Sequence, residues 1–196
     1  MRATRTASIP AAGPVAQSPA AGPAAGTGPG PGPAPTTTHF THIDSPVGPL
    51  LAVEQVGALV GLHFTDAGGP FPHDDWVADD APFAELRRQL AEYFAGGRRE
   101  FDLPLAPEGT PFQVEVWQAL RRIPYGRTVS YRDLAEMVGR PNAMRAVGGA
   151  NGANRMPIVI PCHRVIAADG GLGGFGGGLD RKRLLLDLER ATLNVG

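Results

Sequence analysis

Of the first 35 residues, 24 are alanine, proline or glycine, and none is aromatic or acidic. Such a stretch has too little apolar surface to offset the entropy of ordering it, so the fold must come from the rest of the chain. The expected organisation is a disordered tail over residues 1–36, an N-terminal α/β domain over 37–109 and a C-terminal domain over 110–196. Prolines at 10, 14, 19 and 23 break any apolar run that Arg2 and Arg5 would need to begin an export signal. No apolar run approaches the roughly 20 residues that span a membrane.

The net charge of −1 hides an asymmetry. Residues 36–110 carry 4 arginines and 12 acidic residues, net −8; residues 111–196 carry 12 cations and 7 acidic residues, net +5. The basic half is where an anionic partner is expected. Eleven of its 12 cations are arginine, the side chain suited to planar, two-pronged contacts.

In the acidic half, HFTHIDSPVGPLLAVEQVGALVGLHF holds short apolar runs split by Ser-Pro-Val-Gly and Gln-Val-Gly, the pattern of a β-meander. A helix is expected next, capped by Asp80, with Pro82 in its first turn, Phe83, Leu86, Leu90 and Phe94 on one face, and Gly96-Gly97 as its stop. His63 and Trp76 have no partner at a meaningful spacing and read as packing or surface residues.

The basic half opens with a capping box, Thr110 to Gln113, ahead of Pro111 and a stripe of Phe112, Val116, Leu120 and Ile123, with Pro124 ending the helix. A second box, Ser130 to Asp133, starts a short helix through Met137; Gly139 to Pro141 breaks it, and a further helix carries Arg145. This is the pattern of a helix-turn-helix. The small residues of RAVGGANGAN suit a helix whose backbone approaches something closely.

The chain has a single cysteine, Cys162, in MPIVIPCHRVIAADG. It cannot form an internal disulfide, and a free thiol of this kind favours the cytoplasm. His39, His42, His63 and His73 lack zinc-site spacing, so no metal and no cofactor are expected. Ile158, Val159 and Ile160 read as a short buried strand that ends at Cys162. Free cysteines are most often buried hydrophobes, but His163 is a base beside this one. Neighbours on an extended strand face opposite ways, so the two cooperate only if the backbone turns there or a water relays the proton.

IPCHRV, Asn154, the helix pair with Arg145, and GGFGGGLDRKRLLLDLE together resemble the O6-alkylguanine-DNA alkyltransferases in their short bacterial form, from about Thr38 to the C-terminus. The resemblance implies an α/β fold in which a ribonuclease-H-like meander packs on a helical, winged-helix-like domain. It implies direct-reversal DNA repair, with irreversible transfer of the alkyl group from O6-methylguanine, and from O4-methylthymine, to Cys162. On this resemblance His163 is the water-linked base, Glu189 the carboxylate that orients it, and Asn154 a hinge in the same network. Arg145 replaces the flipped nucleotide, Tyr131 crowds the 3′ phosphate, and Ala146, Gly149 and Arg155 lie on the DNA. Val165 (through its carbonyl), Gly174, Phe175 and Gly176 line the pocket. The partner implied is double-stranded DNA entered through the minor groove by a monomer, with cooperative loading left open. Two positions depart from the family pattern: Phe175 stands where many relatives have tyrosine, and Arg155 follows Asn154 where proline is usual. Two rival readings are a lesion-binding module without chemistry, against which Cys162 speaks, and a cysteine hydrolase, which leaves Arg145 and the helix pair unexplained.

Overall fold

The computed structural model describes residues 36–67 and 72–194, so the expected tail falls, but for Thr36, outside the described residues. The meander is present. β1 (Thr38–Ile43), β2 (Leu50–Gln55) and β3 (Ala58–Phe64) pair antiparallel in turn, with Ile43 opposite Leu50 and Gln55 opposite Ala58. The Gly48 amide donates to the Ser45 carbonyl across the first turn, and Val56 (φ 52°) with Gly57 (φ 79°) makes the second. Two left-handed residues in a row match the twist of the flanking strands in a two-residue hairpin. A short β4 (Val77–Ala78) joins β1 in parallel, giving the order β3-β2-β1-β4.

One 3-10 turn (Ala81–Phe83) leads into α1 (Ala84–Phe94). Asp80 does not cap it. That residue is itself helical, and its carboxylate is held by Thr41 Oγ1 and by Arg87 Nη2 at 2.7 Å; the Ala81 amide goes to Asp79 Oδ1 instead, at 2.9 Å. A carboxylate gains more from a guanidinium than from a backbone amide, so the ion pair outcompetes the cap. Phe83, Leu86, Leu90 and Tyr93 are buried, and Phe94 is partly so.

Both capping boxes form. Gln113 and Thr110 exchange hydrogen bonds at the start of α2 (Pro111–Leu120), as do Asp133 and Ser130 at the start of α3 (Tyr131–Met137). α2 ends at Leu120, ahead of Pro124, because the residue before a proline is pushed out of the helical region and the chain tightens into a turn over 121–123. β5 (Val129–Ser130) precedes α3, and α4 (Met144–Gly152) follows it. α2, α3 and α4 pack on one another, and Trp117 Nε1 donates to the Ala150 carbonyl at 2.8 Å. β6 (Val165–Ile166) pairs in parallel with β5, and α5 (Leu179–Asn194) closes the described chain.

The run Ile158–Ile160 is buried but is not a strand. Ile158 has φ 75°, and the Ile160 amide donates to the Met156 carbonyl at 2.8 Å, so the run is a turn. Pro157 and Pro161 flank it without donors for a ladder, and Asn154 clasps it: Nδ2 donates to the Ile160 carbonyl at 2.8 Å and Oδ1 accepts from the Met156 amide at 3.0 Å. Leu50 and Leu62 of the sheet belong to the same buried cluster as Trp117, Met156 and Leu185.

Candidate active site

Cys162 opens a 3-10 turn, Cys162–Arg164, immediately after Pro161, and is 4% exposed. The backbone therefore does turn at the Cys-His step. No hydrogen bond, however, joins the Cys162 thiol to the His163 imidazole, which faces Glu189 of α5 instead.

Glu189 is fully buried and is the hub of the site. It accepts from Tyr93 Oη (2.8 Å), the Gly126 amide (2.8 Å), His163 Nε2 (2.9 Å) and Arg164 Nη2 (2.9 Å). Burial pushes its carboxyl upward, but the hydrogen bonds and charges of His163 and Arg164 prevail and hold it at about 2. Because that carboxylate accepts only, His163 carries its proton on Nε2, which leaves Nδ1 with a free lone pair. That Nδ1 is buried with no hydrogen-bond partner among the described residues. Burial lowers the His163 pKa against the pull of Glu189, so the ring is a neutral base.

The thiol is not a resting thiolate. Burial pushes the Cys162 pKa up to about 11, although the Asn154 side chain, the Lys182 ammonium and the Cys162 and His163 amides all favour the anion. Lys182 of α5 is completely buried. Its Nζ donates to the Val165 carbonyl at 2.6 Å and to the Gly174 carbonyl at 3.2 Å, and burial lowers its pKa to about 8. A nearby cation that can itself lose a proton, a neutral imidazole and a protonated thiol make a site in which a proton can be moved when needed.

Cys162 lines a cleft of about 150 Å³. One wall comes from α4 and the loop after it (Asn151, Asn154, Pro157), one from Phe175 and Gly176, and one from Leu62, His63 and Phe64 of β3. The Phe175 ring meets Phe64 edge to face at 6.0 Å. His63, expected to be a packing or surface residue, is therefore part of the cleft wall.

Two family models cover most of the chain: the 6-O-methylguanine DNA methyltransferase ribonuclease-like domain over residues 38–107 and the DNA binding domain of the same family over 111–191. The chain belongs to the 6-O-methylguanine DNA methyltransferase family. It is 46% identical over 153 residues, 78% of its length and 93% of the relative's, to the methylated-DNA–protein-cysteine methyltransferase of Mycobacterium bovis. It is 42% identical over 166 residues to the constitutive enzyme of Bacillus subtilis, covering 79% and 96% of the two chains. Among solved structures it resembles Mycobacterium tuberculosis OGT in complex with DNA, with TM-score 0.74 and 46% identity over 79% of this chain and 94% of that one.

The other residues expected in this family's site are spread more widely. Arg145, Ala146 and Gly149 are exposed on α4, and nothing lies within 4 Å of a Cβ built on Gly149. Tyr131 is partly buried; burial raises its pKa, as does the Cys162 thiolate once formed, against a hydrogen bond with the Gly174 backbone. Val165 and Gly174 do not line the cleft; they are bound together by Lys182. Arg155 is exposed and lines a separate cleft of about 370 Å³ with His63, His73, Trp76 and Glu108. No helix among the described residues is long and apolar enough to cross a membrane, and no cluster of metal-binding side chains occurs among them.

Sequence reasoning missed three participants. Lys182 had a visible signal, being the only lysine in the chain. Arg164 anchors Glu189 and donates Nη1 to the Ile123 carbonyl at 2.7 Å, yet in IPCHRV it looks like one more basic residue. Tyr93 reaches Glu189 from α1, 96 positions away in the chain, and no local pattern could have found it.

Proposed function

We propose that this chain repairs alkylated DNA by taking the alkyl group of O6-methylguanine, and of O4-methylthymine, onto Cys162 in a single irreversible step. Methyl transfer from DNA to a protein cysteine is what its curated relatives are named for. The observation that carries the assignment to Cys162 is the chain's one thiol, set in a cleft beside a neutral His163 whose second nitrogen is held by an ionised Glu189.

The step balances without any cofactor. The thiol proton leaves toward His163 Nδ1 through a bridging water, and Sγ forms a bond to the alkyl carbon. The bond from that carbon to O6 breaks, its electron pair stays on oxygen, and the base takes up the proton, leaving guanine and an S-alkylcysteine. Displacement at a saturated carbon needs alignment rather than an oxyanion hole. Water does not cleave the thioether product, so each molecule acts once.

The target atom lies inside the duplex, so the nucleotide must be turned out, at a cost of a few kcal/mol. Arg145 on the exposed face of α4 fills the vacated space, with Ala146 and Gly149 close to the backbone, Tyr131 at the 3′ phosphate and Arg155 beside the DNA. α3 and α4 act as a helix-turn-helix in the minor groove, the protein binding as a monomer with cooperative loading on longer DNA. Phe175 and Gly176 bound the base, and Val165 and Gly174 stand behind them, joined through Lys182. Residues 37–109 form the supporting domain and 110–196 the one that binds DNA and takes the alkyl group. A thiol that must stay reduced places the protein in the cytoplasm.

Incubation with excess DNA carrying O6-methylguanine should add one methyl per protein molecule, and peptide mapping should place it on Cys162. Repeated turnover, or a methyl on another residue, overturns the reading.

A further inference from the structure

The cleft wall that carries Phe175 is built on a segment with little rigidity of its own. Seven of the nine residues 170–178 are glycine, and Phe175 is the one aromatic side chain among them. Glycine loses more conformational freedom on ordering than any other residue, so the place of the Phe175 ring has to be imposed from outside the loop. Two neighbouring cations of α5 do this. Lys182 holds the Gly174 carbonyl just before Phe175, and Arg181 holds the Gly177 carbonyl just after it, through Nη1 at 2.9 Å.

The Arg181 guanidinium has further partners, all in the acidic half. Nε donates to the Val47 carbonyl and Nη2 to Asp66 Oδ2, each at 2.5 Å, and the guanidinium carbon lies 4.8 Å from the centre of the Phe64 ring. The group passes so close to the turn between β1 and β2 that a Cβ on Gly48 would be 2.7 Å from Nη2. Phe64 in turn meets Phe175 edge to face, and both rings line the cleft with Cys162. One planar group thus ties the loop backbone to the β3 ring that packs on Phe175. A guanidinium can do so because its donors fan out in a plane whose face stacks on an aromatic ring, which an ammonium group cannot match.

We propose that Arg181 is a positioning residue for the transfer reaction: by joining Gly177 to Phe64 it holds Phe175 in place before the alkylated base arrives, so that binding does not have to order the loop. The inference rests on the alkyltransferase reading above. Arg181 does not line the cleft and touches no reacting atom. Its loss should therefore weaken uptake of the base and leave transfer from the bound base to Cys162 unchanged.

Free O6-benzylguanine tests this without base extrusion. Alkylation of the protein is followed by intact mass over a range of its concentrations, which gives a saturating rate and a half-saturating concentration; a single-stranded oligonucleotide carrying O6-methylguanine takes its place if the free base does not react. Arg181→Met keeps most of the side chain's length and removes the guanidinium. Its half-saturating concentration should rise about tenfold, with the saturating rate and the alkylated fraction within about twofold of the unaltered protein. Arg181→Lys should shift the same way, because charge alone does not bridge the three partners. Asp66→Asn removes one anchor from a half-exposed position, should raise the half-saturating concentration about threefold, and replaces the arginine variants if they do not fold. A merely weakened fold would lower the alkylated fraction and leave the half-saturating concentration where it was; that result, or a lower saturating rate at an unchanged half-saturating concentration, overturns the assignment of Arg181. The unaltered protein is the control: no alkyl group taken from either probe or from O6-methylguanine duplexes strikes the alkyltransferase reading itself, whereas alkylation with an unshifted half-saturating concentration in the variants strikes only Arg181.

Discussion

At the scale of single residues, the site stores its charge on Glu189 and not on the thiol. The protonated Cys162 should react sluggishly with iodoacetamide at neutral pH and faster as the pH approaches about 11, a profile read by mass spectrometry. Transfer from alkylated DNA should not track that curve, because His163 takes the proton within the complex; it should fall only on acidification, when His163 itself protonates. A repair rate that tracked free-thiol ionisation would mean that the histidine is a bystander. Glu189 carries a second prediction. Its pKa is depressed in the folded protein, so its stabilising effect is complete above the ordinary carboxyl value of 4.5 and is lost as the pH falls toward about 2. Glu189→Gln leaves Arg164 without its buried counter-charge and should cost about 3–5 kcal/mol at neutral pH. The variant should also lose less stability than the parent between those two pH values, as urea titrations would show. His163 was legible in the sequence from its place beside Cys162, but Glu189 only through the family resemblance, since nothing local tells a histidine at 163 that its partner is 26 positions further on.

At the scale of elements, the reactive loop is positioned by what it cannot do. Proline on both sides denies Ile158–Ile160 a place in a sheet, and the Asn154 clasp holds the resulting turn so that Cys162 begins a 3-10 turn facing the cleft. The apolar run alone does not separate a strand from a buried turn, which is why it reads as a strand in the sequence. The capping boxes are the opposite case: both partners lie within three residues of each other, and both formed. In the glycine-rich loop, a Cβ on Gly177 would lie 2.5 Å from the Phe64 ring. Gly177→Ala should therefore lower stability by about 1–3 kcal/mol, and Phe64→Leu should recover part of the loss, both measured by thermal unfolding. Recovery would locate the clash between β3 and the loop. On α4, Arg145→Ala should slow repair of duplex DNA by about tenfold or more while barely altering dealkylation of free O6-benzylguanine, since a free base needs no extrusion. Equal losses on both substrates would assign Arg145 to the fold.

For the whole molecule, charge is divided along the chain, net −8 over residues 36–110 and +5 over 111–196. Binding through the basic half should weaken about tenfold between roughly 50 and 200 mM salt for every two phosphates contacted, and a binding constant indifferent to salt would remove the electrostatic reading. This asymmetry, the capping boxes, the meander and the lone thiol were determined by the sequence itself, because each depends on composition or on neighbours a few residues apart. Tertiary structure decided what depends on chain segments meeting. Tyr93 of the acidic half reaches Glu189 of the basic half, β3 supplies a wall of the cleft, and a buried Lys182 joins Val165 to Gly174. Tertiary structure also shifted the pKa values: burial moves Cys162 up to about 11 and His163 down, while the pairing with His163 and Arg164 holds Glu189 at about 2. Burial and charge pairing are properties of the assembled interior, and no spacing along the chain encodes them.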